Sequence, residues 1–304
     1  MGRGCAGRSG GLDRGPGYSA PLLTEKETRI LAQKRRQKKI KKRRYGIFIW
    51  GLLLLAAAAV AVFSFYKIGA ALTEYRAGEK VYEEMEAYVT PEGISSADGS
   101  NEGSGDSVAG SGEDGQDAGP GIQVDFDSLR EINPDVIGWL YYPSLDISYP
   151  ILKGEDNDYY LHHTIEKEKN FSGSIFMETK NSSSFTDSHT IIYGHNMKNG
   201  TMFGKLKRIR DLKMTEDDRK FWILTPEKTQ LCHIFSAQEV KTGGEAYTLF
   251  TGPCQEFVDW AKQLCRSSVV DPEGITFTET DRIITLSTCT SNDKSRFIVQ
   301  GLCQ

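Results

Sequence analysis

The sequence predicts a mainly β chain: a closed or nearly closed β-barrel with inserted helices, preceded by one transmembrane helix. Three observations carry this. Eight short runs rich in β-branched and aromatic residues lie at 137–142, 147–152, 174–178, 189–194, 221–225, 230–240, 283–288 and 296–302. Many short strands within ~180 residues favour a barrel over an open sheet. Helical patterns near 125–133, 156–162, 201–207 and 254–266 interrupt them. Ahead of all this, IFIWGLLLLAAAAVAVFSFY (47–66) runs for 20 residues without a charge, and at ~1.5 Å rise per residue it spans roughly 30 Å, the thickness of a bilayer core.

Taken in order, residues 1–23 are Gly-rich and expected to be disordered, and MGRGCA lacks the Ser or Thr that myristoylation requires at position six. Thr24 and Glu27 have the spacing of a capping box opening a basic helix. Residues 1–45 carry 14 Lys+Arg against 3 Asp+Glu, and the remainder carries 23 against 38, so the overall charge of −4 hides a strong split. The split falls at the apolar run. A signal peptide would have a shorter apolar core, so an uncleaved anchor over 46–66 is expected. The basic run KRRQKKIKKRR (34–44) on its N-terminal side places residues 1–45 in the cytoplasm and residue 67 onward outside, as a single-pass cell-membrane protein. Beside such a helix, that run is a topology signal touching anionic lipid rather than a nucleic-acid site.

Residues 67–90 read as a stalk helix. Residues 91–121 have seven acidic residues, no basic ones and almost no large apolar ones, a composition that cannot bury enough surface to fold. As a flexible coil this linker averages ~30 Å end to end, and its expected job is to hold the folded part, 122–304, off the membrane.

Of six cysteines, Cys5 would be cytoplasmic. Cys232, Cys254, Cys265, Cys289 and Cys303 would be external, and an odd number leaves at least one thiol unpaired, for which Cys289 is the candidate. Cys254 and Cys265 share one helix face but stand roughly 16 Å apart along its axis, too far to bridge. The pairing of the others is open. No Cys/His spacing suggests a metal.

The chemistry gathers at two strand ends. TIIYGHNM ends a β-branched run at His195, and ITLSTC ends another at Cys289, with Arg296 opening a further strand seven residues on. Taken singly, a buried inert thiol, a structural histidine and a surface arginine are the plainer readings. Together they supply a nucleophile whose thiolate a nearby cation favours, a proton carrier that works near neutral pH, and a clamp for an oxyanion or substrate.

YGHNM and MFGKL (193–206), with TLSTC and RF (285–297), resemble the signature regions of the sortases, the cysteine transpeptidases of the Gram-positive cell wall. FDSLREINPDVIGWLYYPSLDISYPILKGEDNDYYLHH (126–163) and GSIFMETKN (173–181) resemble class B in particular. The resemblance covers about 126–302. It implies an eight-stranded barrel with a class B helix inserted between the sixth and seventh strands, matching 254–266. It implies Cys289, His195 and Arg296 as catalytic residues, and Asn157 and Leu161 of NDYYL as substrate-binding residues, to which Thr288 beside the cysteine is added. It also implies partners and mechanism. Cys289 attacks the Thr carbonyl of an NPxTx-like sorting signal at the C terminus of a secreted protein, and a peptidoglycan precursor amine resolves the thioacyl enzyme. No cofactor or metal is expected. Thr290 departs from an acidic residue found in some members, and the loop to Arg296 is short. The alternatives are a pilin-polymerising sortase and an inactive sortase-like binding scaffold. An L,D-transpeptidase would need a histidine two residues before the cysteine, and a papain-like peptidase would need its cysteine at a helix start.

Overall fold

The computed structural model describes residues 24–92, 119–211, 213–272, 274–289 and 294–304, with Cys289 described by its backbone alone. The expectations for 1–23, for Cys5, for most of the acidic linker (93–118) and for residues 290–293 therefore lie outside the described residues.

Two compact units divide the chain, Met1–Ile68 and Gly69–Gln304. In the first, helix α1 (Glu25–Met85) opens on the capping box: the Glu27 carboxylate accepts from Thr24 N–H at 3.0 Å. It is the one helix among the described residues long and apolar enough to cross a membrane.

The second unit begins with the last turns of α1. These are not a bare stalk, because Tyr82 and Met85 are buried in the main core. A 3₁₀ turn (Glu86–Tyr88) follows, then β1 (Val89–Pro91), which pairs antiparallel with β2 (Ile122–Val124). Glu92 N–H donates to Gly121 O at 2.9 Å. The described residues on either side of the acidic segment are thus tied to each other. Sequence reasoning missed this ribbon because two three-residue strands leave no periodic signal.

Helix α2 (Phe126–Ile132) is capped by Asp125, whose carboxylate accepts from Ser128 N–H at 3.0 Å. Eight strands then form the barrel: β3 (Val136–Tyr142), β4 (Ile147–Leu152), β5 (Ile175–Met177), β6 (His189–Gly194), β7 (Lys220–Leu224), β8 (Thr229–Lys241), β9 (Arg282–Cys289) and β10 (Ser295–Cys303). It closes in the order β10-β8-β7-β3-β4-β5-β6-β9. Each strand overlaps a run read from the sequence. The two short helices expected at 156–162 and 201–207 are instead 3₁₀ turns, Tyr159–Leu161 and Leu206–Arg210. Met202 at φ 50° and Gly200 at φ 87° turn the backbone away from helix ahead of the second.

Leu140, Phe221, Leu286 and Phe297 fill the barrel, each nearly inaccessible, and full burial of such a side chain contributes about 1.5–3 kcal/mol. A second cluster lies under helix α3 (Gln255–Cys265), where Phe257, Trp260 and Leu264 cover Phe235, Ile283 and Ile298 on the outer sheet face. β9 is therefore covered on both faces, and buried hydroxyls at Thr285, Ser287 and Thr288 interrupt its apolar residues.

His189 joins barrel and insertion. Its Nδ1–H donates to Thr248 O at 2.6 Å, and its Nε2 accepts from the Thr285 hydroxyl at 2.8 Å. Trp260 packs on the ring. Burial pushes its pKa from 6.5 down to about 4, against smaller opposing effects from Thr248 and Asp187. Cys232 and Cys303, cross-strand partners on β8 and β10, form a disulfide, while Cys254 and Cys265 remain free thiols.

Two outcomes follow from these features. The unfolded chain binds a proton at residue 189 below pH ~6.5 and the folded chain does not until about pH 4. Stability from this group is full above pH ~6.5 and declines toward pH 4, by on the order of 3 kcal/mol. Urea midpoints measured from pH 7.5 to 4 should fall less steeply for His189→Gln than for the parent. Cys303→Ser should lose about 2–4 kcal/mol in the same assay, since the bridge closes a long loop.

Candidate active site

β9 lies between β6 and β10, and this order gathers the predicted residues. β6 and β9 are parallel, with Gly194 opposite Thr288, so His195 and Cys289 follow one step on along neighbouring strands. β9 and β10 are antiparallel, with Cys289 directly opposite Arg296. Cys289 and Arg296 thus share one rung, and His195 leaves the end of the strand next to it, at strand spacings of about 4.8 Å.

The glycine before His195 is a packing requirement. A Cβ at Gly194 would stand 2.4 Å from Ile175 Cδ1 and 2.8 Å from Phe203 Cδ2. Beyond it the chain turns, and Phe203 N–H returns to His195 O at 2.9 Å.

His195 is half-buried. Its Nε2 is 2.7 Å from Leu161 O. A carbonyl can only accept, so Nε2 carries the ring proton and Nδ1 is the basic nitrogen. Burial lowers its pKa. The Leu161 hydrogen bond opposes this, while His162 and Arg296 reinforce it. The ring is accordingly neutral at neutral pH. The exposed His162 ring lies 6.3 Å away.

Arg296 is half-buried, donates from a guanidinium nitrogen to Ser295 O at 3.0 Å, and lines a groove of about 340 Å³. The groove walls include Asn157, Leu161, Glu178, Tyr193, Tyr247 and Ser287. A larger hollow of about 540 Å³, lined by Asp135, Lys153, Glu155 and Asp156, touches neither His195 nor Arg296; chemistry rather than size marks the site.

Asn157 and Leu161 both line the groove, but Asn157 is engaged at both ends. Its Nδ2 donates to Glu178 at 2.8 Å, and its Oδ1 accepts from Thr179 N–H at 2.9 Å. Tyr193 OH donates to the same Glu178 oxygen at 3.0 Å. Burial alone would raise the pKa of Glu178, yet these hydrogen bonds outweigh it and hold the carboxyl below its usual range. Leu161 contributes its carbonyl to His195 as well as its side chain to the groove. Thr288 sits differently. It is opposite Phe297, a core residue, is 1 % exposed, and is absent from the groove lining.

Sequence reasoning overlooked Glu178, Tyr193, Tyr247 and Ser287. Strand alternation offered a signal for two of them, since Tyr193 and Ser287 each lie two residues before a predicted catalytic position. Glu178 and Tyr247 reach the groove from segments whose placement only the closed barrel sets.

The chain matches the sortase domain family model over residues 140–303. It is 31% identical over 257 residues to a sortase B of Listeria monocytogenes, covering 84% of this chain and 96% of that protein. Among solved structures, a sortase B from Bacillus anthracis superposes with a TM-score of 0.60 at 26% identity, covering 76% of this chain and 98% of that one. A Staphylococcus aureus sortase B–substrate complex matches with a TM-score of 0.55 at 29% identity, covering 59% of this chain and 84% of that one.

Replacing Gly194 by Ala forces Ile175 or Phe203 to move beneath the histidine. Overpacking of this kind costs about 1–3 kcal/mol. The variant should melt lower than the parent and lose more than tenfold in peptide turnover, read by calorimetry and a quenched-peptide assay.

Proposed function

This chain belongs to class B of the sortase family and is a transpeptidase, and from that premise we propose that it works through a Cys289 thioacyl enzyme to join secreted proteins to a cell-wall amine. The observation that carries this reading is the register that sets Cys289 opposite Arg296 on β9 and β10 and ends β6 opposite Thr288, one residue before His195.

In the proposed first half-reaction, a sorting-signal peptide of the NPxTx type lies along the groove. The Cys289 thiol passes its proton to neutral His195 Nδ1, and the sulfur bonds to the Thr carbonyl carbon. Arg296 stabilises the oxyanion that develops. The C–N bond then breaks, and the leaving amine takes the proton from Nδ1. In the second half-reaction, a peptidoglycan precursor amine attacks the thioester and gives a proton to Nδ1. The C–S bond breaks, and the thiolate recovers that proton. Every step balances without a metal or cofactor.

Asn157 and Leu161 form one wall of the peptide groove, with Glu178 and Tyr193 fixing Asn157. Thr288 serves by packing behind the rung rather than by touching substrate. Neither free thiol competes for the nucleophile's role: Cys254 and Cys265 do not line the groove, and burial pushes the Cys265 thiol up in pKa. The apolar part of α1 anchors the enzyme in the cell membrane, with the basic run 34–44 on the cytoplasmic side and the barrel outside.

The test is a panel of quenched NPxTx and LPxTG peptides offered to the detergent-solubilised chain with an added amine. Cleavage after Thr is expected for an NPxTx member. Cys289→Ala should abolish it, and His195→Ala or Arg296→Ala should lower kcat by about 10²–10⁴-fold. Undiminished cleavage by Cys289→Ala would remove the proposed nucleophile.

A further inference from the structure

The Leu161 carbonyl that fixes His195 is itself held from behind by residues 170–174. Ser174 N–H donates to Tyr160 O at 2.8 Å, and Asn170 N–H donates to His162 O at 2.9 Å. Gly173, at φ 55°, lies so close that a Cβ there would stand 2.5 Å from Leu161 O.

That segment is gripped by the last turns of α1. Tyr82, 5% exposed, shares its hydroxyl proton between Gly173 O at 2.7 Å and Ser174 Oγ at 2.9 Å. Ser174 Oγ donates onward to His163 O at 2.7 Å. One turn earlier, Gly78 passes where a Cβ would be 2.6 Å from Ser172 Oγ. Asn170 Nδ2 donates to Glu74 O at 3.1 Å, and Phe171 N–H donates to the Glu74 carboxylate at 3.0 Å. The rings of Tyr75 and Phe171 meet edge to face at 4.3 Å. A helix serving only as a tether needs none of these contacts. Burial raises the Tyr82 pKa, so its hydroxyl remains a donor through neutral pH.

We propose that Tyr82 is a positioning residue for transpeptidation: through Gly173 and Ser174 it fixes the Leu161 carbonyl, and with it the tautomer and ring plane of His195. This rests on the reading of His195 as proton carrier. An imidazole whose Nε2–H has a fixed acceptor presents Nδ1 alone to the reacting atoms. Once the acceptor moves, the ring can rotate and the tautomers mix, which depletes the reactive form. Substrate binding is spread over all the groove walls, of which Leu161 is one, and is affected less than the histidine.

The experiment uses the full chain in detergent micelles with the fluorogenic peptide that the wild type cleaves best. Tyr82→Phe and Ser174→Ala each remove one hydroxyl, with the two hydrogen bonds it makes, and keep the packing. Each should lower kcat about tenfold, since sub-ångström displacement of a catalytic group is costly, while KM changes less than twofold. Ring ¹⁵N signals of His195, assigned by their loss in His195→Gln, should move from the Nε2–H pattern toward a tautomer mixture. If both variants merely melt earlier, with kcat and the His195 signals unchanged, the helix is a structural brace and the proposal is wrong. His195→Ala, run alongside, separates the two ideas. An inactive His195→Ala beside fully active Tyr82 and Ser174 variants overturns the proposal alone. A fully active His195→Ala overturns the reading of the site, and the proposal with it.

Discussion

The parallel register between β6 and β9 is the constraint on which the site depends. Gly194 opposite Thr288 brings His195 beside Cys289, although 94 positions separate them in the chain. The antiparallel register between β9 and β10 adds Arg296. A slip of one residue in either pairing would turn the partner strand's side chains to the opposite face. The register is pinned because both faces of β9 are covered: Leu286 faces the barrel core and Ile283 the cluster beneath α3. Hydrophobic packing on two sides thus sets the geometry of a polar site at the strand ends.

That arrangement requires polar groups inside apolar layers, and the described ones near the site are largely satisfied. His189 uses both ring nitrogens, bridging the strand start to the Thr248 loop ahead of α3. Glu178 collects the Asn157 amide and the Tyr193 hydroxyl. Each group is costly to bury alone and specific once paired. The two histidines on and just after β6 show what environment does to one side-chain type. His189, enclosed with partners on both nitrogens, is locked as a neutral brace. His195, half-buried, commits Nε2 to Leu161 O, which leaves Nδ1 as its basic nitrogen.

The folded unit is larger than the barrel. Tyr82 and Met85 belong to its core, and the β1–β2 ribbon returns the chain to the same place after the acidic segment. The reason lies in surface complementarity: Gly78 lets the helix backbone approach the 170–174 segment, and Tyr82 then reaches a carbonyl and a hydroxyl on it. A boundary drawn at residue 122 from composition alone cuts through this packed layer.

By itself, the sequence determined the strands, the apolar anchor-like helix and the three chemistry-bearing residues. Apolar runs of β-branched and aromatic residues are local, and so is the coincidence of His, Cys and Arg with strand ends. The tertiary structure decided what local pattern does not encode. It made turns of two short stretches with helical composition, because positive φ and side-chain capping outweigh propensity there. It paired Cys232 with Cys303, since pairing depends on which strands are neighbours. It turned Thr288 into the core and engaged Asn157 with Glu178, because the face a residue presents depends on register. It packed the end of α1 into the barrel's core cluster, since docking depends on the shape of a surface assembled from distant segments.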